Sequence, residues 1–102
     1  MTRPGPETIL WTKDVRVRIM PLDPEESVPW HVHGAVTDYM FCLSGRICVH
    51  AAEPDEEFRL APGQRCSIRP DRPHRVAALA GKATYLLVQG VGEYDFQPLS
   101  RS

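Results

Sequence analysis

The chain has 102 residues, 42% of them apolar and 25% charged, and its 12 Lys+Arg against 13 Asp+Glu leave a formal net charge of -1. That is material for one core and one domain. The basic residues are scattered, there is no acidic tail, and no apolar run approaches the roughly 18 residues of a membrane-spanning helix; neither nucleic acid nor a membrane is therefore an expected partner.

The opening, MTRPGPETIL, lacks the apolar stretch of a secretion signal, so the cytoplasm is the expected compartment. Cys42, Cys48 and Cys66 are an odd number with no tight pairing motif, and reduced, buried thiols are expected. With Pro 10 and Gly 7 in so short a chain, long helices are not expected.

Residues 1–7 read as a flexible lead, 8–95 as one β domain and 96–102 as a tail. VRVRIM, Val15 to Met20, alternates apolar and basic residues, the pattern of a half-buried strand. Facing inward, Arg16 and Arg18 would clamp a carboxylate; the expectation is that they face water. PLDPEES reads as a loop and VPWHVH as a short strand. DYMFCLSGRICVH reads as two strands broken at Ser44-Gly45, where glycine tolerates positive φ. AEPDEE is an acidic loop and FRL a brief strand. APGQ places Pro62 and Gly63 at the centre of a type II turn. RCSIR is a strand, PDRP a tight corner, and HRVAALA and ATYLLVQG are strands either side of Gly81-Lys82. The stretch AALA is too short for a helix. Many short strands with turn signals at regular intervals mark an all-β sandwich or barrel.

Two histidines, His31 and His33, stand one residue apart in an extended segment. Strand alternation points both rings to one side. A short loop, GAVT, leads to Asp38, which opens the next strand and can aim back at the same point. His74 follows Pro73, whose fixed φ limits how that corner runs. Each feature alone is weak. Together they supply three imidazoles and a carboxylate, good ligands for a divalent transition metal.

This arrangement resembles the cupin superfamily. Its first motif pairs two histidines one residue apart with a carboxylate and then a glycine. Here four residues separate His33 from Asp38, and six separate Asp38 from Gly45. Its second motif has a Pro-Gly turn, a short strand and a corner carrying a histidine, matched by Pro62-Gly63 and IRPDRPH, which ends at His74. The family usually has Glu where this chain has Asp38, one methylene shorter, and its asparagine after the last histidine has no match near Ala77 and Ala78.

The resemblance implies a jelly-roll β-barrel with His31, His33, Asp38 and His74 holding one metal ion. Fe, Mn, Ni, Co, Cu and Zn all suit such ligands. It also implies a homodimer. A divalent ion with one aspartate and three neutral imidazoles leaves about +1 at the centre, which favours an anionic or oxygen-bearing small molecule as ligand. Strand parity adds Met40, Cys42 and Val76 as walls of the substrate pocket. Trp30 has the opposite parity and is expected in a core or subunit contact. His50 is expected at the surface. No G-x-S-x-G elbow, phosphate loop or paired-cysteine motif is present. No catalytic residue is assigned; Tyr39, Tyr85 and Glu93 are the unplaced acid–base groups.

The expected function is a metalloenzyme, dioxygenase-like, acting on a small organic molecule. The alternatives are an isomerase or cyclase using the metal as a Lewis acid, and a barrel that binds a metabolite or metal without turnover.

Overall fold

The computed structural model describes residues 5–90 and 96–99. Its strands are β1 (Glu7–Trp11), β2 (Val15–Leu22), β3 (Ser27–Val32), β4 (Thr37–Ser44), β5 (Ile47–Ala51), β6 (Glu56–Leu60), β7 (Arg65–Ile68), β8 (His74–Ala78), β9 (Ala83–Gly90) and β10 (Gln97–Pro98), with no helix among the described residues. They form two five-stranded antiparallel sheets, ordered β1-β2-β9-β4-β7 and β10-β3-β8-β5-β6. The sheets face one another without joining through a shared strand. The all-β expectation holds, and the expected barrel is a two-sheet sandwich.

Two strands escape the sequence reading. All residues of β1 are exposed, so no alternation marks it. β10 is only a two-residue pairing with β3. The expected flexible lead therefore overlaps β1 at Glu7, and the expected tail lies against β3, with the Leu99 amide donating to Trp30 O at 3.0 Å. The loop expected over PLDPEES is shorter, because β2 runs on to Leu22.

The core lies between the sheets. β9 is central in the first sheet and sends Ala83, Tyr85 and Leu87 inward; β4 adds Met40 and Cys42. The second sheet answers with Ile47, Val49, Leu60 and Val76. Gly45, with φ +70, joins β4 to β5; a Cβ there would lie 2.2 Å from Lys82 O, so only glycine fits. Pro62 and Gly63 (φ +89) form the expected turn, closed by the Gln64 amide on Ala61 O at 2.9 Å.

The orientation of β2 reverses the expectation. Arg16, Arg18, Met20 and Leu22 face inward, where Arg16 and Leu22 are buried. Val17 and Ile19 face outward. Alternation identifies a two-faced strand but not which face is inside. Here the outer face of the first sheet is itself apolar: across β2, β9 and β4, Val17, Val88 and Tyr39 form one row and Ile19, Leu86 and Phe41 the next. The aliphatic set of β2 completes that surface, so the arginines turn in.

Candidate metal centre

A bulge in β3 sets up the site. Val28 pairs with Val76 and His31 with His74, so β3 has one residue more than β8 between those pairs. In a regular strand Val28 and His31 would face opposite ways. The extra residue turns both inward. Pro29, which cannot donate to a ladder, sits in the irregular stretch, and its carbonyl accepts from His31 Nδ1 at 2.7 Å. His33 follows just beyond the strand.

His74 is set by the PDRP corner. Arg72 is buried there and donates to Ala52 O at 3.0 Å, Pro54 O at 2.7 Å and Glu56 Oε1 at 2.8 Å. Its own carbonyl accepts from His74 Nδ1 at 2.8 Å. The Asp71 amide donates to His33 O at 2.7 Å, which ties the corner to the end of β3. Asp38, on β4, faces across the sandwich.

The four residues meet. His31, His33, Asp38 and His74 are each at most 4% exposed, and one ligand atom from each lies within 4.8 Å of all the others. His74 Nε2 is 2.9 Å and His33 Nε2 3.2 Å from Asp38 Oδ2. The rings crowd, with centroids 4.2 Å apart for His31–His74 and 4.8 Å for His31–His33. Burial, with His74 close beside it, pushes the His31 pKa down to about 4, so this ring stays neutral at neutral pH. Burial alone would raise the Asp38 carboxyl, but hydrogen bonds from His33 and His74 outweigh it and hold the group well below the usual carboxylate range. The carboxylate is ionised.

This set fits a metal ion. The backbone carbonyls accept from Nδ1 of His31 and His74, which turns Nε2 of each ring towards the centre; His74 Nε2 meets Asp38 Oδ2 there, and a metal ion would take the place of the proton between them. The carboxylate and neutral imidazoles are the donors a divalent transition ion takes.

Two residues that the sequence reading did not place here belong to the site. Gln89, buried on β9, donates from Nε2 to Asp38 Oδ1 at 3.0 Å. Its Oε1 accepts from Arg16 Nε and Nη2 at 2.9 and 2.6 Å. Arginine only donates, so it fixes which end of the amide faces Asp38. The available signal was parity: Gln89 is the polar continuation of the inward series Tyr85 and Leu87.

The cavity at the centre measures about 70 Å³. Met40 and Val76 line it, together with Arg16, Arg18, Tyr85 and Phe96. Cys42 does not. It shares the face of Asp38 but lies four residues along β4, about 13 Å away, in the apolar core with its thiol towards Ser44 O and Gly45 O at 3.7 and 3.5 Å. Phe96 stacks on His31 at 4.5 Å.

Away from the centre, Tyr39 is exposed on the outer face of the first sheet. Trp30 is on the outer side of the second, stacked on half-exposed His50 at 6.4 Å. Glu93 lies outside the described residues. Cys48, His50 and Glu57 gather as a second potential ligand group, but Arg59 at 3.5 Å from Glu57 and Arg75 at 3.4 Å from His50 oppose a cation there.

Among solved structures, an uncharacterized conserved protein with a double-stranded beta-helix domain from Klebsiella pneumoniae superposes with a TM-score of 0.81 at 19% identity, over 99% of this chain and 90% of that one. KdgF from Halomonas sp. matches at 0.77 and 17% identity, over 86% of this chain and 78% of that one. An oxalate decarboxylase variant from B. subtilis matches at 0.77 and 19% identity, over 86% of this chain but 25% of that one. No curated protein matches the chain. The family model described as "Cupin domain" matches residues 18–90, a span that holds both histidine segments, Asp38 and Gln89. Two facing antiparallel sheets and that match establish that the chain belongs to the cupin family.

Proposed function

We propose that His31, His33, Asp38 and His74 bind one divalent transition metal, and that the protein is a metalloenzyme acting on a small anionic or oxygen-bearing organic molecule. One observation carries this reading: three imidazoles and a carboxylate, all buried, converge between the sheets, with two of the rings tied to backbone carbonyls through Nδ1 so that Nε2 faces the common centre. A buried charged cluster costs desolvation energy that apolar residues would avoid, so its presence points to use.

Bound there, the metal supplies a Lewis acid or, if redox-active, a route to oxygen chemistry. The chain's own residues orient Asp38 through Gln89, hold the rings in one tautomer and wall the cavity with Met40 and Val76. A dioxygenase-like reaction is the leading proposal, and Lewis-acid isomerase or cyclase chemistry the second. The similar fold of an oxalate decarboxylase supports small-anion chemistry on such a frame. Free Cys42, Cys48 and Cys66 support a cytoplasmic location.

Elemental analysis of protein purified without tag histidines tests the centre. About one divalent metal per chain is expected, falling below about a tenth in His31→Ala and His74→Ala. Full metal content in both variants would remove these residues from the site. Iron would favour oxygen chemistry, zinc the Lewis-acid reading.

We also propose a homodimer through the outer face of the first sheet, whose apolar rows end in Tyr39 and Phe41, with exposed Leu43 further along β4. Sedimentation should give twice the chain mass, and Val88→Asp half of that. A monomeric wild type at micromolar concentration would reject this face.

A further inference from the structure

We propose that Arg18 is the anion-binding residue of the cavity and that the ligand is a compact carboxylate bridging Arg18 and the metal centre. This rests on the metal-centre reading above.

The two inward arginines of β2 differ in their partners. Arg16 donates twice to Gln89 and lies 5.0 Å from the Trp11 ring centroid. Arg18 Nε is buried with no acceptor among the described residues. Its neighbours across the sheet are Leu87 and, beyond it, Met40; Val28 and Val76 line the same cavity from the second sheet. A guanidinium cannot shed its charge, and every N–H it carries is a donor. A charged donor among apolar walls calls for an anion, and the planar fork of arginine matches the two oxygens of a carboxylate.

Register supplies the span. Arg16, Gln89 and Asp38 form one row across β2, β9 and β4, and Arg18, Leu87 and Met40 form another. The rows are two residues, about 7 Å, apart along the strands. A ligand with an oxygen donor at the metal and a carboxylate at Arg18 therefore needs only a few bonds between them. Volume agrees. About 70 Å³ is well below the roughly 300 Å³ at which drug-sized ligand pockets begin, which favours a compact ligand. Tyr85, whose phenol is held protonated by burial and by the Asp38 charge, also lines the cavity as a neutral donor.

The test is calorimetric titration of the full chain with glycolate, against its neutral counterpart glycolamide, for wild type, Arg18→Gln and Arg18→Lys. Each is measured metal-loaded and metal-free, with metal content determined before and after. Arg18→Gln should retain the wild-type metal stoichiometry and bind glycolate at least about 10-fold more weakly, a loss on the scale of one charge-assisted hydrogen bond. Arg18→Lys should recover part of it, and glycolamide should not distinguish the variants. Equal glycolate affinity in wild type and Arg18→Gln overturns the inference, as does a wild type that binds no glycolate in either state. A wild type that takes up no metal sinks the metal-centre reading alone; the metal-free comparison then decides Arg18 by the same ratio.

Discussion

The space between the sheets has two ends, built from the same strands and buried to the same degree. β4 runs from Cys42 and Met40 to Asp38, β9 from Tyr85 and Leu87 to Gln89, and β8 from Val76 back to His74. Ile47 and Val49 at the apolar end are 0% exposed; His74 and Asp38 at the polar end are 1% and 2%. Burial at the first end stabilises by roughly 25 cal/mol for each Å² of apolar surface removed from water. Burial at the second costs desolvation and recovers it only through mutual hydrogen bonds. One end holds the sandwich together, and the other, the proposed metal centre, is kept at the expense of stability. Mutations should separate the two roles.

The largest effect belongs to the apolar end. Ile47→Ala removes a fully buried side chain and should lower unfolding free energy by about 2–5 kcal/mol, read from urea denaturation of the metal-free protein. The folded fraction should bind metal as the wild type does. If the metal affinity of folded Ile47→Ala fell together with its stability, the two ends would be one cooperative unit and the contrast would fail.

The next effect reverses the pattern. Gln89→Leu removes the donor to Asp38 Oδ1 and the acceptor for Arg16 while keeping similar volume. Metal affinity should fall about 10- to 100-fold, the usual consequence of losing a group that orients a ligand. Stability should fall by about 1–3 kcal/mol, less than for Ile47→Ala. Competition titration with a chromophoric chelator measures the first quantity. Unchanged metal affinity would detach Gln89 from the site and leave it a partner of Arg16 alone.

These residues also mark where the sequence was legible. That His31, His33, Asp38 and His74 converge could be read because residue types and their spacings survive without coordinates. The inward direction of Met40 and Val76 followed from strand parity. Arg16 and Arg18 were misjudged because parity fixes alternation and not the sign of a face, and the apolar outer surface of the first sheet inverted that sign. Cys42 was misjudged for a different reason: parity gives the face but not the depth along it. The bulge at Pro29, which brings Val28 and His31 to one side, leaves no periodic trace in so short a strand. β1 was invisible because an exposed edge strand has no buried face to create a pattern.

The thiols give the smallest effect, and it falls at the apolar end. Cys66 is packed against the core, and burial, with the Asp38 charge adding to it, pushes its pKa from 9.0 up to about 12. Burial raises Cys42 as well. The sign follows from proton binding. Above pH 9 the unfolded chain loses the Cys66 proton while the folded chain keeps it, so stability should decline as pH rises from about 9 towards 12. Between pH 6 and 8 both states hold that proton, and Cys66 contributes no slope. One group adds at most about 1.4 kcal/mol per pH unit. Denaturation midpoints at pH 8, 9 and 10 should therefore fall more gently for Cys66→Ala than for the wild type. Iodoacetamide should react with this thiol more slowly at pH 8 than with an exposed cysteine, because the thiolate is the reactive form. Rapid alkylation of Cys66 in the folded protein, with identical alkaline slopes in the two proteins, would place this thiol outside the apolar end.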